Sequence, residues 1–265
     1  MGANGIGTPR LLLNSASSQF PDGLANSSGL VGKNLMFHPY SMVIGVFDDE
    51  LEGYKGPLGC TVISSEFYET DLSRGFIRGY AFQVIRNSGP ATTSQGLFGG
   101  PPIPWGSNHH QVFNERFGRT ITVAVIGEDL PELENRVTLD ANLADSDGIP
   151  SPKVDYRLGV NSLKMMNHGI KRATELLEAA GSKEVLVNPL LRAGGWHLLG
   201  TARMGDNGDN SVVDGSGRSH DVRNLFIIDG STFVTAGAVN PTSTIQAVAL
   251  HIADYFKQNA RHLLD

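Results

Sequence analysis

A mixed α/β fold is what this sequence predicts. Short apolar and β-branched runs crowd residues 32–139, whereas two segments, 160–180 and 242–264, repeat apolar residues every three or four positions. No internal repeat interrupts that order. The 265 residues, 40% apolar and 18% charged, allow one large domain or two modest ones around a sizeable core, which excludes a wholly disordered chain.

Taken in order, Ile6 to Asn14 is a short apolar helix with Pro9 in its first turn, where a missing N–H is harmless. Runs such as 41–47 and 59–64, punctuated by Gly, Pro and Asp, predict strands. Residues 87–118 hold six glycines and four prolines beside Leu97, Phe98 and Trp105, a stretch too long for a simple connection. Loops of that kind are functional covers or disordered segments. Two further strands, 120–126 and 136–139, flank the acidic turn 128–135, and 145–152 is a turn cluster. Val160 to Ala180 carries Leu163, Met166, Ile170, Ala173, Leu176 and Leu177, an amphipathic helix ended by Gly181. Its charges between Lys171 and Glu178 form the wet face. A buried-strand run over 223–229 leads into a small-residue loop and a last helix bearing Ile245, Val248, Ala249, Ile252, Phe256 and Leu263.

Composition excludes several functions. Against 27 acidic residues stand 21 basic ones, a net charge of −6 with no basic cluster, which disfavours nucleic acid. Cys60 is the single cysteine, so an internal disulfide or thiolate metal cluster cannot form within one chain. No run nears the ~20 apolar residues of a membrane span, and the first residues are not a secretion signal, so a cytoplasmic location is expected. His109-His110 in an extended segment point oppositely, without a carboxylate at ligand spacing. Asp206 to Asn210 resembles a calcium loop but has Ser211 where the loop needs glycine, leaving a solvated turn. No metal is expected. Gly-x-Ser-x-Gly and Gly-x-x-x-x-Gly-Lys motifs are missing, which removes the hydrolase and phosphate-loop readings.

Two runs carry unusual chemistry. In the run from Gly194 to Gly205, His197 stands among apolar residues and glycines. Such an imidazole is either a core histidine bonded to backbone or a group with a tuned pKa. In the run from Leu225 to Thr244, Asp229-Gly230-Ser231 precedes Asn240-Pro241-Thr242 at the start of the last helix. That helix N-terminus offers N–H donors to an electron-rich group, unless Asn240 or Thr242 is simply its cap.

His197-x-x-Gly200-Thr201-x-Arg203-Met204-Gly205, Val212-Val213-Asp214, Arg218, Asn224-Leu225, Asp229-Gly230-Ser231 and Asn240-Pro241-Thr242-x-Thr244-Ile245 resemble, in order, the C-terminal signature of glucose-methanol-choline (GMC) FAD-dependent oxidoreductases. The opening from Gly5 to Ser15 is similar to the family's second signature, and Gly32 to Pro39 is similar to the family segment directly C-terminal to that signature. The family's initial Gly-x-Gly-x-x-Gly turn is absent, so the chain resembles the C-terminal half of such an enzyme.

The resemblance implies a partial FAD-binding domain over 1–34 and 192–265, and a substrate domain over 35–191 with a mostly antiparallel sheet and covering helices. It implies FAD as cofactor and oxidation of a CH–OH group of a sugar, polyol or other alcohol. His197 would be the base and Asn240 the hydrogen-bonding partner of the substrate oxygen. Asp229, Gly230, Asn240, Pro241 and Thr242 would face the cofactor, with Gly7 and Thr8 weaker carry-overs and Trp196 either pocket wall or packing. Two alternatives remain: a silent module that needs a partner chain supplying the dinucleotide-binding fold, or a sugar-binding module without redox activity.

Overall fold

The computed structural model describes residues 1–56, 59–86, 89–96, 102–192 and 196–263. Leu97, Phe98, Gly194 and residue 264, which the readings above include, lie outside the described residues, as does the side chain of Leu263. In chain order the elements are α1 (Asn4–Asn14), β1 (Tyr40–Val46), β2 (Gly59–Ser64), β3 (Tyr80–Arg86), α2 (Pro90–Ser94), α3 (His109–Arg116), β4 (Thr120–Gly127), β5 (Arg136–Ala144), β6 (Pro150–Asp155), α4 (Val160–Ala179), β7 (Glu184–Asn188) and α5 (Thr242–Leu263). Two compact units result: Met1–Phe37, Asp129–Gly159 and Gly195–Asp265 form the first, His38–Glu128 and Val160–Gly194 the second. This division differs from the sequence-based one in grouping 129–159 with the chain ends.

The second unit is a five-stranded antiparallel sheet ordered β2-β3-β4-β1-β7. Every residue of β1 is buried, and β4 is buried at all but Ile121. These strands are therefore continuous apolar runs rather than alternating ones. β1 faces β4 with Val43 opposite Val123 and faces β7 with Val43 opposite Val187. α4 packs on the sheet through Ser162, Met165, Met166, Gly169, Ala173 and Leu177. A methyl group on Gly169 would sit 2.5 Å from Val125 Cγ1, so only glycine lets the helix approach β4 this closely. The buried stripe is rotated from the expected one. Leu163 and Leu176 are half exposed, because Gly169, invisible as an apolar residue, sits at its centre.

In the first unit, α1 packs on the β5–β6 hairpin, and Arg10 ties them by bonding Asp145 Oδ2 (2.6 Å) and the Pro150 carbonyl (2.9 Å). Leu12, Val31, Ala202, Val212, Val213 and Ile227 form its core. Each fully buried aliphatic side chain contributes about 1.5–3 kcal/mol.

Four sequence expectations need correction. α1 begins at Asn4, so Pro9 lies inside the helix rather than in its first turn. Pro9 cannot donate to the Gly5 carbonyl four residues back, and that carbonyl accepts from Thr201 Oγ instead (2.8 Å). Residues 223–229 are not a strand. They make one bridge, Arg218 to Phe226, and the Ile227 N–H bonds the Gly217 carbonyl (2.8 Å), so no ladder forms. Both strands flanking 128–135 are present, β4 in the five-stranded sheet and β5 paired with β6, but the expected turn cluster 145–152 is not all turn, since β6 already begins at Pro150. Pro150 and Pro152 are tolerated there because a two-stranded sheet leaves outer N–H positions unneeded. Finally, 87–118 is not one loop but contains α2 and α3, and His109-His110 start a helix instead of lying extended.

Candidate functional site

Of the residues singled out around His197 and Asn240, those from Trp196 onward belong to the first unit. The segment after His197 is held by backbone bonds on both sides. Leu199 exchanges two hydrogen bonds with Met36 (3.0 and 3.1 Å), and the Gly5 N–H donates to the Leu198 carbonyl (3.2 Å). The N–H groups of Gly200, Ala202 and Met204 donate in turn to the carbonyls of Gly230, Ser231 and Thr232. The glycines exist for this close packing. At Gly200, φ is +92° and a Cβ would lie 2.1 Å from the Asn34 carbonyl oxygen; at Gly5 it would lie 2.6 Å from the Leu198 carbonyl carbon.

His197 itself has φ +61°, a left-handed conformation that costs a non-glycine residue about 1–2 kcal/mol. Strain of this sort persists where the surroundings over-determine it, here through the locked Leu198–Leu199 segment. The imidazole is half-buried, and that burial holds its pKa below the ordinary histidine value. At neutral pH it is a neutral ring able to accept a proton. Beside it Trp196 is 43% exposed.

Asp229 is a structural knot. Its Oδ2 accepts from the Thr8 hydroxyl (2.6 Å) and the Ala3 N–H (2.8 Å), while Oδ1 accepts from the Ser231 N–H (2.8 Å) and so caps the 3₁₀ turn Gly230–Thr232. Gly230 is buried, and a Cβ there would meet Leu199 Cδ2 at 2.7 Å, the Leu198 oxygen at 2.9 Å and Ile245 Cδ1 at 3.3 Å. The backbone at Gly230 thus lies where the His197 segment and the first turn of α5 converge. Met36, Leu199 and Ala236, with Phe233 and Ile245 against them, complete the same small core.

Asn240 is exposed and Pro241 buried. The Ile245 N–H donates to the Pro241 carbonyl (2.8 Å), so Pro241 is the N-cap and the helix starts one residue later, at Thr242. Thr242, Ser243 and Thr244 are exposed residues whose N–H groups precede the intrahelical ladder, at the positive end of a 22-residue helix. Sequence reasoning missed Thr201 and underrated Thr8, whose hydroxyls hold the Gly5 carbonyl and the Asp229 carboxylate; their only signal was a threonine within each glycine-rich motif. Among the described residues no group of three or more His, Cys, Asp or Glu is arranged to hold a metal. No described helix is long and apolar enough to cross a membrane.

The family model described as GMC oxidoreductase matches residues 131–249. A 2-methyl-1,2-propanediol dehydrogenase of Mycolicibacterium austroafricanum is 46% identical over 99% of this chain and 48% of its own length. The fructose dehydrogenase large subunit of Gluconobacter japonicus is 32% identical over 95% of this chain and 45% of its own. Among solved structures, a formate oxidase of Aspergillus oryzae RIB40, determined in work on FAD modification in that enzyme, superposes with a TM-score of 0.65 at 20% identity, over 99% of this chain and 54% of that one. The chain spans about half the length of the relatives it matches. In sequence and in fold, the chain belongs to the GMC oxidoreductases and corresponds to the C-terminal part of their polypeptide.

Proposed function

We propose that this chain is the catalytic C-terminal half of an FAD-dependent oxidoreductase acting on a CH–OH group of a sugar, polyol or other alcohol. The observation that carries the reading is the convergence of two segments, the one bearing His197 and the one bearing Asn240, on the buried backbone of Gly230. The relatives' names, a propanediol dehydrogenase and a fructose dehydrogenase, support an alcohol carbon as the reacting centre.

The donor set fits a flavin. The amides at the start of α5, on exposed residues with Asn240 beside them, suit the electron-rich pyrimidine edge of such a ring. Bound FAD would supply the electron-accepting ring that takes the hydride. Asn240, Pro241 and Thr242 would hold that ring edge. Asp229 has its carboxylate committed to Ala3, Thr8 and Ser231, so its part is to fix the Gly230 backbone that lies against the cofactor.

His197, neutral at pH 7, accepts the hydroxyl proton on an imidazole nitrogen. Loss of that proton gives the carbon alkoxide character, from which hydride departs readily. The Asn240 carboxamide donates an N–H to the substrate oxygen as its negative charge grows, and cannot compete as a base.

A second reading, a module silent until a chain with a dinucleotide-binding fold joins it, is favoured by the half-length match to the relatives. Visible absorbance of the chain alone separates the two, since a bound-flavin band there would reject the silent module. On the first reading, the chain together with the segment corresponding to the rest of its relatives binds FAD stoichiometrically, and an alcohol bleaches the flavin band. A yellow assembly that no alcohol, polyol or sugar bleaches would overturn the alcohol chemistry, and a colourless one the cofactor assignment.

A further inference from the structure

Between α2 and α3 of the second unit lies an open cavity of about 640 Å³, within the ~300–1,000 Å³ of ordinary small-molecule sites. The geometry points to a site for a neutral carbohydrate ring stacked on Trp105. This indole is 96% exposed, so its broad apolar face is available for a ligand to stack on. The His109 ring lies near-parallel beside it, its centroid 5.7 Å away with 25° between the planes, and leaves the indole surface open. His109 is fixed in turn by its position at the start of α3 and by a 3.2 Å hydrogen bond from Nδ1 to the Pro104 carbonyl. The indole is therefore open to a ligand, with the fixed His109 ring beside it. Pro102 and Pro104 stiffen the segment leading to it, and Ile103, buried, anchors that segment between them.

The rest of the lining selects the ligand class. Ser94 and Gln95 bring a hydroxyl oxygen and a carboxamide, and no charged side chain lines the cavity among the described residues. A phosphate or carboxylate finds no cation there, and an alkyl chain has no use for two polar groups. A pyranose or furanose ring satisfies both halves. Its C–H face carries positive edges that meet the negative face of the indole, and its hydroxyl rim reaches Gln95 and the lone pairs of Ser94 Oγ, whose proton is given to the Ala91 carbonyl. This site does not depend on the redox reading, since it requires neither FAD nor His197.

The chain has two tryptophans, Trp105 and Trp196, so its indole N–H resonances are few enough to assign by substitution. Titration with methyl β-D-glucopyranoside and methyl β-D-fructofuranoside should shift the Trp105 signal saturably at millimolar concentration and leave Trp196 unmoved. Trp105→Ala should abolish binding and Gln95→Ala should weaken it several-fold, with an unchanged far-ultraviolet circular dichroism spectrum in both. No saturable shift with either glycoside, or an equal response to cyclohexane-methanol, which lacks the hydroxyl rim, would overturn the proposal.

Discussion

The hydroxyl of Thr8 and the carboxylate of Asp229, 221 residues apart in sequence, share a 2.6 Å hydrogen bond. With the Ala3 and Ser231 amides on the same carboxylate, this bond fastens the start of α1 to the turn beneath the candidate site. A hydrogen bond to a charged group contributes about 1.5–3 kcal/mol. Asp229→Ala removes three of them and should lower unfolding stability by at least about 3 kcal/mol, whereas Thr8→Val should cost about 1.5–3 kcal/mol. Urea denaturation of both variants tests this, and an Asp229→Ala protein as stable as its parent would refute the knot.

Thr201 stands in for an N–H that Pro9 lacks. Thr201→Val leaves the Gly5 carbonyl without that partner and should cost about 1–3 kcal/mol. Adding Pro9→Ala supplies a helical N–H to the same carbonyl, so the double variant should recover part of the loss. Additive effects of the two changes would show that they serve different acceptors.

Gly200 fixes the approach of the His197 segment to Asn34. Gly200→Ala combines left-handed strain of about 1–2 kcal/mol with a Cβ 2.1 Å from a carbonyl oxygen, which displaces backbone at a further ~1–3 kcal/mol. The expected total is about 3 kcal/mol, read as a lowered denaturation midpoint at unchanged slope. A neutral substitution would mean that the segment is not gripped as described.

Acid should destabilise the protein through two histidines. His168 Nδ1 lies 2.9 Å from the Tyr80 hydroxyl, which donates to it in the Nε2–H tautomer. Burial, and then the charges of Arg172 and Arg74, hold its pKa below the ordinary value; burial alone does so at His197. The unfolded chain, titrating near pH ~6.5, then binds protons that the folded one refuses. Stability contributed by the neutral rings is present above that pH, declines as pH falls through it, and levels off below the depressed folded values. His168→Asn and His197→Asn should each flatten part of the slope in denaturant midpoints measured from pH 8 to 5; an unchanged slope in both would contradict the assignment.

Much of the fold was legible because it rests on local pattern. β1, β2 and β4 announce themselves by β-branched runs, and α4 and α5 by apolar spacing. What escaped has physical reasons. β6 contains Pro150 and Pro152, which read as turn residues, and α3 buries none of its residues, so it has no apolar stripe to detect. The run at 223–229 looks like a strand because it is apolar, but a strand needs a partner and it finds only a bridge at Phe226. At the candidate site, His197 and Asn240 were visible only through an ordered family motif, since a lone imidazole in apolar sequence is ambiguous. The bonds that support them, Thr8 to Asp229 and Thr201 to Gly5, link residues too distant in sequence for spacing to reveal.

The central claim is proton abstraction by His197, and the most direct measurement is single-turnover bleaching of the flavin by an alcohol in the FAD-loaded assembly. His197→Ala, with its flavin retained, should slow that step by ~10²–10⁴-fold and erase the acid limb of its pH profile, and Asn240→Ala should slow it by up to ~10²–10³-fold. Bleaching by the His197→Ala protein at the parent rate, with the acid limb intact, would contradict the account.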